Sequence, residues 1–164
     1  MSSELVAQFE IFSDNLPYAK MIYPVSFFDR AKYMFWRFYT PYHAFWRDLL
    51  LSLGLIAHTG RQEYLLGKIA QGQSVKSLIT FLISRGYGNH FIAWRDDGEV
   101  IGLRYVENFT YQYHIRIFKD GEVRAHYEYT PECHPILHFK AIGMEDRRSE
   151  FLALLGDRII PSSN

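Results

Sequence analysis

The tetrapeptide Asp-Gly-Glu-Val occurs twice in this 164-residue chain, at Asp97–Val100 and at Asp120–Val123. Asp-Gly between runs of alternating apolar and polar residues is a strong local signal for a β-hairpin, because glycine enters the left-handed turn conformation without steric cost. Two such turns commit this part of the chain to an antiparallel meander. The alternation predicts four strands: 90–94, 99–106, 110–118 and 122–129.

The side-chain period of a strand is two, so the length of each turn decides which residues share a face. A two-residue turn at Asp120-Gly121 would mix the faces, placing Ile115 opposite His126. A three-residue loop of Lys119-Asp120-Gly121 separates them. It pairs Ile117 with Val123, Ile115 with Ala125 and Tyr113 with Tyr127 on one face. The other face then carries Arg116 with Arg124, His114 with His126, and Gln112 with Glu128. Three-residue loops at Asp96-Asp97-Gly98 and Glu107-Asn108-Phe109 extend this polar face into rows. The first is His90, Arg104, Gln112 and Glu128; the second is Ile92, Gly102, His114 and His126; the third is Trp94, Val100, Arg116 and Arg124. Gly102 leaves a gap over His114, and Trp94 offers its ring to Arg116.

Elsewhere the period is helical. Helices are expected over 4–12, from a Ser26 cap with Asp29 three residues on to Tyr39, and from Thr40-Pro41 to Leu53. Another is expected from a Thr59–Gln62 capping box to Ala70. Ser74 caps the next, whose Val75, Leu78, Ile79, Leu82 and Ile83 form an apolar stripe ending at Gly86. Two short helices, 135–141 and 144–155, follow the sheet, and the tail from Pro161 is expected to fray. The fold class is α+β: a single domain over 1–164, with N-terminal helices packed on a four-stranded antiparallel β-meander. Residues 1–73 form an aromatic-rich helical part, 74–130 a helix plus the meander, and 131–160 the C-terminal helices.

Composition narrows the function classes. Eighteen Lys and Arg balance eighteen Asp and Glu, which argues against a protein that coats DNA through excess positive charge. The single cysteine, Cys133, forms no internal disulfide and no cysteine zinc site, so a reducing, cytoplasmic setting is expected. The N-terminus has no signal-peptide pattern, and the longest nearly apolar run, 49–57, is too short to span a bilayer.

The polar sheet face carries the candidate chemistry. It holds no lysine, but three arginines and three histidines beside one glutamate. Arginine's planar fork suits phosphate or carboxylate, and histidine exchanges protons near neutrality. The expected function is binding of an anionic ligand, either a phosphorylated small molecule or single-stranded nucleic acid. His114 and His126 would serve as metal-free acid and base for hydrolysis, with Glu128 orienting them. His90, Trp94, Arg104, Gln112, Arg116 and Arg124 would bind the ligand. An anion would relieve the repulsion between Arg116 and Arg124. His114, His126 and Glu128 also have the make-up of a metal site, and His134 and His138 form an i, i+4 pair. The neighbouring arginines weigh against a cation, so neither metal nor cofactor is expected. Enzymatic activity is left open.

Two rival readings use other parts of the chain. Residues 61–106 resemble a winged helix in element order, which implies a DNA-binding regulator, although Asp96 and Asp97 at the wing tip would repel phosphate. Between Tyr23 and Arg47, 11 of 25 residues are Phe, Tyr or Trp. Such helices, within 26–55, suit a protein partner or homodimer interface, or a membrane surface.

Overall fold

The computed structural model describes residues 15–55, 64–90, 96–134, 138 and 146–162. The architecture is α+β, with helices at both ends of an antiparallel sheet. Helix α1 spans Phe27–Tyr39, and a 3-10 turn at Thr40–Tyr42 leads into α2, His43–Ser52. Strand β1 (Tyr64–Ile69) precedes α3 (Val75–Ser84), and β2 (Gly88–Asn89) follows it. The meander is β3 (Glu99–Val106), β4 (Tyr111–Phe118) and β5 (Glu122–Tyr129). Helix α4 (Arg148–Leu155), a second 3-10 turn and β6 (Ile159–Pro161) close the chain. The sheet has six strands rather than four, in the order β2-β3-β4-β5-β1-β6.

The β4–β5 register is the one that the hydrophobic pattern requires. Ile117 faces Val123, Ile115 faces Ala125, and His114 faces His126. Gly121, at φ 84°, turns the loop and donates its N–H to the Phe118 carbonyl at 3.0 Å. The β3–β4 register is two residues away from expectation, pairing Arg104 with His114 and Val106 with Gln112. The cause is Asn108, whose side-chain oxygen accepts from the N–H groups of Thr110 and Tyr111 at 2.8 and 2.9 Å. This Asx turn moves the loop one residue along the chain. A shift of two keeps every side chain on its face but changes its neighbours. The β2–β3 pairing is displaced in the same way: Gly88, not His90, lies opposite Arg104. Residues 91–95, including Trp94, lie outside the described residues.

Three expected features are corrected. Residues 64–69 form strand β1, not a helix, and the Thr59–Gln62 box lies outside the described residues. The open edge of β5 leaves backbone groups to be satisfied, and β1 pairs with them. Gly67 permits this arrangement: a Cβ there would lie 2.0 Å from the Ile160 carbonyl oxygen of β6. Pro161 does not fray but pairs with Gly67, and the Ser162 N–H donates to the Leu66 carbonyl at 3.0 Å. The helix expected to open near Met144 begins, within the described residues, at Arg148. The helices expected at 4–12 and 135–141 fall outside the described residues, apart from His138. Strand β1 also removes the first helix that a winged-helix order needs.

The apolar sheet face is covered as expected by the stripe on α3. Leu78, Ile79 and Leu82 pack with Ile101, Leu103, Ile115 and Ile117, joined by Phe151 and Leu155 of α4. Burying each such side chain contributes roughly 1.5–3 kcal/mol. Ser74 caps α3 by accepting from the Ser77 N–H at 3.0 Å, and Ser26 caps α1 by accepting from the Asp29 N–H at 3.1 Å. Thr40 does not cap α2; its hydroxyl donates back to the Trp36 carbonyl at 2.7 Å.

Gly67→Ala forces β1 and β6 apart. Urea denaturation is expected to show a loss of about 1–3 kcal/mol, the usual cost of overpacking. An unchanged midpoint would mean that β6 does not hold this position.

Candidate functional site

The polar sheet face is a buried layer. Arg116 is 0% exposed and Arg104 2%, and Gln112, His126 and Glu128 are also buried. The layer is roofed partly by the N-terminal connection, where the Met21 sulfur lies 3.6 Å from Arg104 Nη2. The turn after β5 adds Glu132 and leads on to His138.

Both buried arginines have carboxylate partners that the sequence pattern did not reveal. Arg104 grips Glu132 with two prongs, at 2.8 and 3.1 Å, and donates to Gln112 Oε1 at 3.1 Å. Arg116 donates from Nε to Glu99 Oε2 at 3.0 Å, sets Nη2 on the same oxygen, and places Nη1 2.6 Å from Asp96 Oδ2. A β-bulge between Glu99 and Ile101 delivers Glu99 here. Strict alternation would leave it with Ile101 on the apolar face; the bulge sets it opposite Phe118, on the face of Arg116. Glu132 lies past Pro131, beyond the periodic strand. Arg124 is partly exposed, pairs with Glu122 at 2.7 Å, and lies 4.5 Å from the Phe118 ring centroid. Phe118 also flanks Arg116, at 5.6 Å. The charge that an anionic ligand was expected to neutralise is thus already met by Glu99, Asp96, Glu122 and Glu132.

The histidines converge on Glu128. His114 Nδ1 lies 3.3 Å from Glu128 Oε1, and His126 Nε2 lies 3.1 Å from Oε2. The two ring nitrogens are 3.2 Å apart. His138 Nδ1 is 3.2 Å from Glu128 Oε2 and 2.9 Å from the Tyr129 carbonyl. Gln112 Nε2 donates to Glu128 Oε1 at 2.7 Å. The His90 ring stacks at 6.3 Å from that of His138. His134 stands apart, edge-on to Tyr129. His114, His126 and Glu128 therefore come together, whereas Arg116 and Arg124 are engaged elsewhere.

Burial sets the protonation state of His114 and His90, and the histidines set that of Glu128. Burial is the main cause holding His114 down to about 4, against the hydrogen bond to Glu128, and it holds His90 well below its usual range, with Arg104 adding to the effect. Burial alone would raise Glu128, but His138, His126 and the histidine hydrogen bonds outweigh it and hold the carboxyl well below its usual range. At neutral pH the centre thus presents a carboxylate and an uncharged His114 imidazole. That state suits metal ligation better than proton donation.

One further atom bears on the chemistry. His114 Nε2 is buried without a hydrogen-bond partner. It sits over Gly102, where a Cβ would lie 2.8 Å from Nε2 and 2.9 Å from Glu99 Oε1. The glycine gap expected over His114 thus exists, although Gly102 pairs with Arg116 in the ladder.

Arg116→Met strands Glu99 and is expected to cost about 3–5 kcal/mol in urea denaturation. Arg124→Met, at the exposed pair, should cost no more than ~1 kcal/mol. Equal effects would show that the two arginines do not differ as their burial requires.

Compared with protein-family models, with curated proteins and with solved structures, the chain gives no match, so the case for its chemistry rests on these residues.

Proposed function

We propose that this protein binds one divalent transition-metal ion, zinc by preference, through His114 Nδ1, His126 Nε2 and the Glu128 carboxylate. The observation that carries this reading is the largely buried cluster of two imidazole nitrogens and one carboxylate. The two ring nitrogens are 3.2 Å apart, close to the spacing of ligands on one tetrahedral ion. One carboxylate spans both, with Oε1 3.3 Å from His114 and Oε2 3.1 Å from His126. Taking one donor atom from each residue, the three lie within 4.8 Å of one another. Atoms about 2.0–2.1 Å from a tetrahedral zinc lie roughly 3.3–3.4 Å from one another. The fourth position would fall to water or to His138.

Tautomer and charge support the same reading. Without a metal, a neutral His114 gives its Nδ1 proton to Glu128 and leaves Nε2 as a bare buried acceptor beside the Glu99 carboxylate. With a metal on Nδ1, Nε2 carries the proton, so the side of the ring near Gly102 presents a donor in place of a bare acceptor. Among the described residues, the buried carboxylates of Glu99, Glu128 and Glu132 outnumber the buried guanidiniums of Arg104 and Arg116, and Glu128 has histidines rather than an arginine as its charged neighbours. A bound ion adds positive charge beside Glu128 and ties β4 to β5.

The anion-binding alternative, with His114 and His126 as acid and base, would require Arg104 and Arg116 to exchange Glu132 and Glu99 for the ligand.

Metal-stripped protein titrated with Zn2+ by calorimetry is expected to take up one ion per chain, and Co2+ should give the intense visible absorption of a tetrahedral site. Metal at a hundredfold excess over Kd stabilises by about 2.7 kcal/mol. Glu128→Gln and His126→Gln should abolish uptake, while Arg124→Met should leave it intact. No uptake by the folded parent would refute the metal reading. A rise in melting temperature with phosphate or an oligonucleotide, but not with metal, would restore the anion reading.

A further inference from the structure

Helix α1 is turned the opposite way from an ordinary surface helix. Its inner face carries Trp36, Tyr39 and Lys32, and Lys32 Nζ approaches the Cys133 sulfur at 3.7 Å. Its outer face carries the phenylalanines: Phe27 is 80% exposed, Phe28 77% and Phe38 74%. Phe27, Ala31, Met34 and Phe38 recur at helical spacing, and the row continues through Tyr42 to Phe45, all exposed. An apolar stripe this long normally faces a core. Here it faces outward, a mark of a docking surface.

Charge indicates what covers it. Residues 15–55 hold five basic side chains and two acidic ones, in a chain whose net charge is zero. Asp29 pairs with Lys32 and Asp48 with Arg47, leaving Lys20, Arg30 and Arg37 uncompensated. Arg30 and Arg37 are exposed, two helical turns apart along one edge of the apolar stripe. No helix among the described residues is long and apolar enough to cross a membrane. A second copy would bring the same positive rim against this one, and like charges would oppose the contact.

We infer that α1 and α2 form a docking surface for an anionic membrane, with the phenylalanines in the interface and the Arg30–Arg37 edge among lipid phosphates. Aromatic side chains are favoured at that depth, and a helix lying in the membrane plane binds through apolar area and charge together. The polar face that such a helix needs is supplied by the body of the domain, which Lys32 reaches at Cys133.

The test is co-sedimentation of the full chain with phosphatidylcholine vesicles and with phosphatidylcholine–phosphatidylglycerol vesicles. Binding is expected to the mixed vesicles and to weaken with salt. Each basic group near an anionic leaflet contributes a factor of about five, so the double variant Arg30→Glu and Arg37→Glu should weaken binding by roughly 25-fold or more. Phe27→Ser with Phe38→Ser should also release the protein; both positions are exposed, and circular dichroism checks that the variant is folded. Equal binding to both vesicle types, insensitive to the arginines, would overturn the anionic surface. Vesicle binding that is absent while sedimentation velocity shows a dimer lost in the phenylalanine variant would assign the stripe to a second copy instead.

Discussion

A sheet face lined with ionisable groups and turned inward must neutralise and hydrogen-bond them without water. That constraint shapes the polar half of this domain. From Glu132 a continuous series of contacts runs through Arg104, Gln112 and Glu128 to His114, His126 and His138. A second group links Arg116 to Glu99 and Asp96. Removing one member strands another, so the layer holds β3, β4, β5 and the turn at 130–134 in a single arrangement. An apolar layer of similar volume would often stabilise a fold as well or better. Retaining charge here fits a layer that positions a ligand, as the proposed metal centre requires.

The two faces of the sheet divide the work. On the apolar face, α3 and α4 supply nondirectional burial, which tolerates small errors of register as long as side chains keep their face. On the polar face, geometry is specific: a displacement of two residues changes which group meets which. The β3–β4 shift caused by Asn108 replaces an expected Arg104–Gln112 ladder pair with Arg104 opposite His114. Arg104 still reaches Gln112 diagonally. The proposed metal centre and the proposed membrane surface stand on opposite sides of one segment. The turn at 130–134 gives Glu132 to the polar layer and Cys133 to the inner face of α1.

Much of this arrangement was legible in the chain because local rules governed it. The Asp120-Gly121 loop needed one register to keep Ile115 and Ile117 apart from His114 and Arg116, and β4 and β5 adopt it. Ser26 and Ser74 announced helix starts because the cap bond is made within three residues. Strand β1 was not legible. Tyr64-Leu65-Leu66 has no helix-breaking residue, and its strand state arises from the open edge of β5, some 55 residues further along the chain. Glu99 was hidden because a bulge changes the face of one residue without altering the pattern on either side.

By itself, then, the sequence determined the three consecutive strands β3 to β5, the β4–β5 register, the apolar stripe on α3 and the gathering of His114, His126 and Glu128. Each depends on a turn, a cap or a period of two or 3.6, and these act over a few residues. Tertiary structure alone decided that the arginines are matched by Glu99 and Glu132, that β1 and β6 complete the sheet, and that the phenylalanines of α1 face outward. Those outcomes depend on which surfaces meet, and burial is a property of the assembled fold rather than of any segment within it.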